Sequence, residues 1–256
     1  MKIKYLILLL FLLTVKVSGQ LPDADIILEK SREMTLLGSF KATLNLTITE
    51  KNGSVRSRVI SMASKSYPDG TEKRLIKFLE PADVRGTGML ITDYKTSSDE
   101  MWIYLPALKK TRRIAATEQG RNFMNSEFSN YDMSSPALSD FKSRHLEGSG
   151  QNNQWIIESI PVNPDKISEY GFSRKVSYFT IDGYRVKKME FFDRNGNMFK
   201  TIEVMDLKQG DNGKYIISEM KSSNLLNGRS SVIKFTNISM NTPVEDSLFS
   251  LQSLEQ

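Results

Sequence analysis

The residue types that most often carry catalysis or bind metals are scarce in this sequence. Its 256 residues include one histidine, His145, and no cysteine. A histidine base needs a nucleophile beside it, and the sequence contains no nucleophile elbow, phosphate-binding loop or dinucleotide-binding fingerprint. We therefore interpret His145 as a solvent-facing strand residue, and we expect no enzymatic activity, no metal site and no cofactor. Without cysteine, disulfides, thiolate zinc sites and a lipid anchor on an N-terminal cysteine are also excluded.

One segment could bind through its charge. Four basic residues lie close together: Lys109, Lys110, Arg112 and Arg113. An edge strand that faces water carries such residues, and so does a docking surface for anionic lipid headgroups or an acidic partner. The sequence leaves both interpretations open.

Another segment could bind hydrocarbon. Trp102 and Tyr104 alternate with Met101, Ile103 and Leu105, so both faces of a strand would be apolar. Such a strand is either buried on both sides by ordinary packing, or lines an apolar cavity with one face. The register cannot decide between the faces, because neither is polar.

The N-terminus has the pattern of an export signal. Two lysines precede an uncharged apolar run, Tyr5–Leu13, and small residues follow at Val17, Ser18 and Gly19. We expect a signal peptide over residues 1–19, cleaved before Gln20, with an uncleaved anchor as the alternative. Cleavage removes three of the 35 basic residues and no acidic one, which lowers the formal charge from +5 to +2. An exported, nearly neutral chain is not expected to bind nucleic acid. Residues 20–256 then form a single domain.

The elements expected after the signal are one helix and many strands. Residues 23–37 have apolar residues at helical spacing, with Asp23 as the N-terminal cap. From Phe40 to Ile48 apolar and polar residues alternate, which is typical of a half-buried strand. Six Asx-Gly pairs then predict tight turns, the last four at spacings that suit consecutive hairpins.

The predicted fold is therefore mainly β in an α+β chain. We expect about 11–13 antiparallel strands in an incomplete, strongly curved barrel, because twist accumulates in so wide a sheet. The N-terminal helix and a central helical or loop segment, residues 115–140, would serve as its lid or plug. The central segment is polar yet rich in large apolar side chains, so we expect it to pack on the sheet.

Four segments occur in an order that resembles a known family. They read EPADVRGTGML at 80–90, MWIYLPALKKTRRI at 101–114, FMNSEFSNYDM at 123–133 and DSLF at 246–249. Together they resemble the LolA-like outer-membrane lipoprotein-sorting proteins, in their larger and mostly uncharacterised branch. The resemblance implies a half-barrel with a lid and an apolar concave face that receives acyl chains. It also implies a periplasmic carrier that serves an inner-membrane transporter and an outer-membrane acceptor.

We therefore expect a carrier or chaperone, acting as a monomer, that holds the acyl chains of a lipoprotein or lipid during transfer between the two membranes. The alternative is an accessory or sensor protein of a membrane partner, either a lipid exporter of the resistance-nodulation-division type or an envelope-stress regulator. The candidate cavity residues are Phe40, Leu44, Leu46, Ile48, Met89, Trp102, Tyr104, Met124 and Phe128. The candidate docking residues are those of the basic cluster.

Overall fold

A computed structural model describes residues 21–36, 38–210 and 213–256. The predicted signal peptide lies outside the described residues. Within them are three α-helices, of which none is long and apolar enough to cross a membrane. Their bounds are α1 Ala24–Thr35, α2 Pro164–Tyr170 and α3 Leu251–Leu254.

Thirteen strands make up most of the remaining described chain. The first six are β1 Ser39–Thr49, β2 Val55–Ser66, β3 Glu72–Glu80, β4 Gly88–Asp93, β5 Glu100–Leu105 and β6 Lys110–Arg113. The other seven are β7 Phe141–His145, β8 Gln154–Pro161, β9 Arg174–Thr180, β10 Val186–Phe192, β11 Met198–Gln209, β12 Tyr215–Asn224 and β13 Ser230–Met240.

All thirteen strands belong to one antiparallel sheet, in the order β6-β5-β4-β3-β2-β1-β13-β12-β11-β10-β9-β8-β7. The chain runs by hairpins to the edge at β6, crosses to the opposite edge at β7, and returns by hairpins to the middle, where β13 pairs with β1. The sheet is strongly curved and does not close. The predicted incomplete barrel of 11–13 strands is confirmed.

Helix α1 begins and ends close to the predicted bounds. The Asp23 carboxylate accepts a hydrogen bond from the Asp25 amide at 2.9 Å, as expected of a cap. The helix ends at Thr35, two residues before the predicted end. Its buried residues Ala24 and Ile27 pack against β8 and β9, so α1 covers one half of the sheet. Helices α2 and α3 are short, and the sequence patterns did not predict them.

The two faces of the sheet are covered by different parts of the chain. We call the face that carries the larger apolar core the inner face. The connection between β6 and β7 crosses this face, with Phe123 and Phe128 in its core. The outer face of β2–β5 is covered by the C-terminal residues 244–254, whose Phe249 and Leu254 pack on Leu75 and Leu90. Successive residues along β3 and β4 thus alternate between two apolar cores, one on each face of the sheet.

Candidate functional site

The central segment, residues 115–140, fills much of the inner face. It consists of loops and four single turns of 3₁₀ helix. Phe123 and Phe128 are 1% and 0% exposed, and the Phe123 ring lies 5.7 Å from the ring of Phe78 on β3. Burying aromatic side chains of this size stabilises the segment on the sheet. The predicted role of this segment as a lid or plug therefore agrees with its position.

Polar contacts also hold the central segment. The ammonium of Lys200 on β11 lies 2.7 Å from the Asp132 carboxylate, and the Arg229 guanidinium lies 2.9 Å from the carboxylate of Glu127. Asp132 and Glu127 are 5% and 2% exposed at their side chains. Buried ion pairs of this kind fix geometry more than they add stability. They therefore set where the segment sits.

A third contact comes from Arg74 on β3. Its guanidinium donates to the carbonyl oxygen of Met133 at 2.8 Å and to the hydroxyl of Ser135 at 3.0 Å. The same group lies 2.7 Å from the carboxylates of Glu72 and Asp93. Arg74 thus joins the central segment to two acidic residues of neighbouring strands.

Two acidic residues at this end of the sheet, Asp93 and Asp99, have raised pKa values. Burial raises the pKa of Asp93 to about 6, although the Arg74 charge opposes this effect. Burial, together with the nearby charge of Asp93, raises the pKa of Asp99 to about 7. Burial therefore favours the protonated form of both carboxyl groups beneath the central segment.

The described residues line two neighbouring cavities between the inner face and its cover. The first, about 210 Å³, lies between the central segment and strands β1–β3, β12 and β13; we call it the β1 cavity. The second, about 240 Å³, lies between α1, the central segment and strands β8–β10; we call it the α1 cavity. Both are lined by Thr35, Ser135 and Ile217, so they are neighbours.

The structure places most of the predicted cavity residues on the inner face. Phe40 and Leu44 line the β1 cavity, and Leu46 borders a small void of about 10 Å³ beside it. The other predicted cavity residues on the inner face belong to the surrounding apolar core; they are Ile48, Met89, Met124 and Phe128. Of these, Met124 is only partly buried. Their contact with a ligand stays a prediction.

Trp102 and Tyr104 do not share the inner face with the other predicted cavity residues. Both side chains lie on the outer face and pack against the C-terminal residues, in the core that contains Leu254. Their neighbours Met101 and Ile103 occupy the inner face. The pattern could not reveal this, because a covered outer face selects apolar residues as strongly as a cavity does.

The basic cluster is partly neutralised within the chain. Arg112 lies 2.7 Å from the Glu118 carboxylate, and Arg113 lies 3.2 Å from that of Glu100. Lys109 and Lys110 are exposed at the turn into the edge strand β6. An edge strand that carries charge accounts for this cluster, and its use in docking stays a prediction.

His145 has a structural position. Its Nε2 lies 2.6 Å from the carbonyl oxygen of Pro22, just before α1, and its Nδ1 lies 2.6 Å from the Ser149 hydroxyl. The residue is half-buried rather than solvent-facing, which corrects that expectation, and its contacts hold the chain that leads into α1.

Two basic residues of the α1 cavity were missed by the sequence analysis, Arg32 on α1 and Lys175 on β9. Lys175, Ser177 and Phe179 are every second residue of β9, so they lie on one face of the strand. The apolar Phe179 on that face indicates that Lys175 also points towards the core. A lysine in a strand is normally assigned to the solvent face, so the sequence pattern alone does not identify Lys175 as a cavity residue.

Comparisons with solved structures agree with this architecture. A domain from Vibrio parahaemolyticus named for outer-membrane lipoprotein sorting is 26% identical, with a TM-score of 0.82 over 90% of this chain and 97% of that one. A DUF1329 family protein from Desulfovibrio piger is 24% identical, with a TM-score of 0.78 over 90% and 97%. A LolA superfamily protein from Nitrosomonas europaea is 16% identical, with a TM-score of 0.70 over 91% and 100%.

The class of fold follows from these similarities: the chain has the LolA-like fold that its sequence motifs indicated. A family model described as an uncharacterized protein matches residues 70–256, and the chain belongs to that family. The comparison with curated proteins finds no match.

Proposed function

We propose that the protein is a periplasmic carrier that binds the acyl chains of a lipoprotein or lipid on its inner face. One observation supports this most directly. The inner face contains two neighbouring cavities, and they lie under a central segment that is held by noncovalent contacts alone. A largely apolar surface of this kind, with a few charged residues in its lining, can exchange its cover for a ligand without any covalent step.

The energetics of acyl binding suit this arrangement. Burying hydrocarbon contributes about 0.8 kcal/mol for each methylene group. Each cavity is smaller than the roughly 300–1,000 Å³ of a typical ligand pocket. A long acyl chain would therefore occupy both cavities or displace part of the central segment. Displacement of Phe123 and Phe128 would expose apolar surface of the sheet, which the acyl chain would then cover.

The proposed cellular role follows from two features, the inner face that would bind acyl chains and the predicted signal peptide. An exported carrier would collect its cargo from an inner-membrane transporter and deliver it to an outer-membrane acceptor. Transfer of this kind requires only a receiving site of higher affinity. The sequence contains no catalytic motif, and a carrier function requires none.

The test is recovery of cargo. Native mass spectrometry of the protein purified from its own periplasm should show a bound lipid or lipoprotein, and the delipidated protein should bind a fluorescent fatty acid. Only unliganded protein, together with no fatty-acid binding, would contradict the proposal. Recovery of a regulatory membrane protein without lipid would favour the sensor function instead.

Movement of the central segment can be followed separately, because the sequence has no cysteine. In Met133→Cys the introduced thiol should react slowly in the free protein, since Met133 is 9% exposed, and faster with bound fatty acid. The matched control is Met101→Cys, at a residue 1% exposed within β5, which should stay protected. Binding without faster reaction at residue 133 would contradict the movement and leave the carrier function standing.

A further inference from the structure

The α1 cavity is amphiphilic rather than simply apolar. Of the described residues that line it, two are charged, Arg32 and Lys175, and both are basic. Apolar side chains from the helix and the strands form other parts of its wall, among them Leu28, Phe179 and Met189. A cavity with positive charge and an apolar wall is complementary to a ligand with an anionic group and a hydrocarbon chain.

Arg32 has unused hydrogen-bonding capacity. Its Nη1 donates to the carbonyl oxygen of Pro136 at 3.5 Å, which is a long bond. Its Nη2 is buried and has no hydrogen-bond partner in the described chain. A buried donor without a partner costs about 1–3 kcal/mol, and more when it is charged. An anion in the cavity would remove this cost.

Lys175 also lacks a carboxylate partner among the described residues. Its ammonium donates to the Tyr131 hydroxyl at 3.0 Å and lies 5.6 and 5.3 Å from the ring centroids of Tyr131 and Phe141. Burial lowers the pKa of Lys175 to about 8; the charge of Asp132 opposes this effect and that of Lys200 adds to it. The residue is thus partly buried, and its positive charge is only weakly compensated.

The neighbouring lysine on β11 makes the contrast clear. Lys200 also lies on the inner face, but its ammonium is 2.7 Å from the Asp132 carboxylate. Cation–π contacts of the kind that Lys175 makes contribute about 0.5–2 kcal/mol, which is less than burial of an ammonium costs. A purely structural role would therefore leave Lys175 under-compensated. On the opposite wall the charges of Asp93 and Asp99 act on Arg32, yet its Nη2 still has no hydrogen-bond partner in the described chain.

We propose that the α1 cavity binds an amphiphile with one acyl chain and an anionic headgroup, whose oxygens accept hydrogen bonds from Arg32 and Lys175. This inference rests on the proposed carrier function and adds the class of headgroup. The chain runs along the apolar wall towards Ile217, where the α1 and β1 cavities adjoin. A carboxylate and a phosphate share the required chemistry.

The test compares matched ligands on the delipidated, full-length protein. Oleate, lysophosphatidylglycerol and uncharged oleyl alcohol present a carboxylate, a phosphate and a neutral headgroup. We expect oleate or the phospholipid to bind about tenfold more tightly than the alcohol, as expected for a charge-assisted hydrogen bond. The preferred anion identifies the natural headgroup as carboxylate or phosphate.

Variants assign the preference to the cavity. Lys175→Met and Arg32→Met should each remove most of the advantage of the anionic ligand and leave the affinity for the alcohol unchanged. The control is Lys142→Met, an exposed lysine on β7, which should leave all affinities unchanged. Equal binding of charged and neutral ligands that no variant alters would overturn the headgroup site and leave the carrier intact. Failure of all three ligands to bind would instead contradict the carrier function.

A measurement on the unsubstituted protein covers the case in which a variant does not fold. Oleate affinity should fall as pH rises through about 8, because Lys175 loses its proton there. Burial raises the pKa of Tyr131, which faces Lys175, well above its usual value, so this hydroxyl stays protonated in that range. Burial also raises the pKa of Asp99 to about 7, and the charge of Asp99 acts on Arg32, so the fall assigned to Lys175 is the part above about pH 8. An affinity that stays constant between about pH 7 and 9 would contradict the role of Lys175.

Discussion

The ammonium of Lys200 lies 2.7 Å from the Asp132 carboxylate, with the two side chains only 10% and 5% exposed. This pair joins β11 to the central segment, and the Asp132 carboxylate also accepts hydrogen bonds from the amide and hydroxyl of Ser129 at 2.7 and 2.8 Å. The cover of the inner face is therefore tied to the sheet through a charge, in addition to its apolar packing. Such a contact has a defined geometry, and it can be broken without loss of the sheet.

The first prediction concerns this pair. Asp132→Asn leaves the buried Lys200 ammonium without its counter-charge, and breaking one partner of a buried pair costs about 3–5 kcal/mol. Urea denaturation should show a loss towards the lower end of this range, because Asn keeps an acceptor for Ser129. A double variant, Asp132→Leu with Lys200→Met, should be more stable than Asp132→Asn. A single variant as stable as the unsubstituted protein would show that the pair does not hold the segment.

The second prediction concerns Gly88 at the start of β4. A Cβ at this position would lie 2.7 Å from Leu254 Cδ1 and 3.1 Å from the Leu254 carbonyl oxygen. Gly88→Ala should therefore push the C-terminal residues off the outer face, at a cost of about 1–3 kcal/mol. Hydrogen exchange of residues 248–254 should accelerate.

A matched control for Gly88→Ala is Leu254→Ala, which removes the apolar contact without adding an atom to β4. It should accelerate the same exchange, since Leu254 is fully buried. Unchanged exchange in Gly88→Ala would mean that the two segments tolerate the extra methyl group by a small shift.

The third prediction separates the two faces of the sheet. Trp102→Ala should loosen the C-terminal residues and leave fatty-acid binding unchanged, because this side chain packs on the outer face. Met62→Asp should weaken fatty-acid binding at least about tenfold, because Met62 lines the β1 cavity and a carboxylate there opposes burial of hydrocarbon. Titration of a fluorescent fatty acid measures both. Loss of binding in a folded Trp102→Ala variant would place the ligand elsewhere.

The sequence predicted the strands well because their pattern is local. In β1 the residues from Phe40 to Ile48 alternate between buried apolar and more exposed polar positions, and a period of two is sufficient to identify such a strand. Asx-Gly pairs such as Asn227-Gly228, where the glycine has φ of +73°, marked the hairpins for the same reason. The strand count and the open barrel follow from these signals.

The candidate site depended on contacts that no local pattern encodes. Trp102 was assigned to the cavity, because the sequence does not show that residues 244–254 return to cover the outer face. Lys175 and Arg32 come from different elements, and only the tertiary fold brings them to one cavity. Three of the four segments that carry the family resemblance contribute residues to the apolar core on the outer face, so part of that resemblance reflects packing; these residues are Leu90, Trp102, Tyr104, Leu248 and Phe249.

The last prediction follows from Asp99. Burial, aided by the charge of Asp93, raises the pKa of Asp99 to about 7. Between about pH 4 and 7 the folded chain then binds more protons than the unfolded chain, so this group makes the free energy of unfolding fall as pH rises. Asp99→Asn, which keeps an oxygen to accept the Tyr94 amide hydrogen, should therefore be more stable at about pH 8, by at least about 1 kcal/mol.

At about pH 4.5 the difference between Asp99→Asn and the unsubstituted protein should shrink, because Asp99 is then protonated in the folded chain. Urea denaturation at both pH values measures it, with Asp182→Asn as the control at an exposed turn residue. If Asp99→Asn were less stable at the higher pH, the Asp99 carboxylate would be a favourable partner of Arg74 rather than an excess charge.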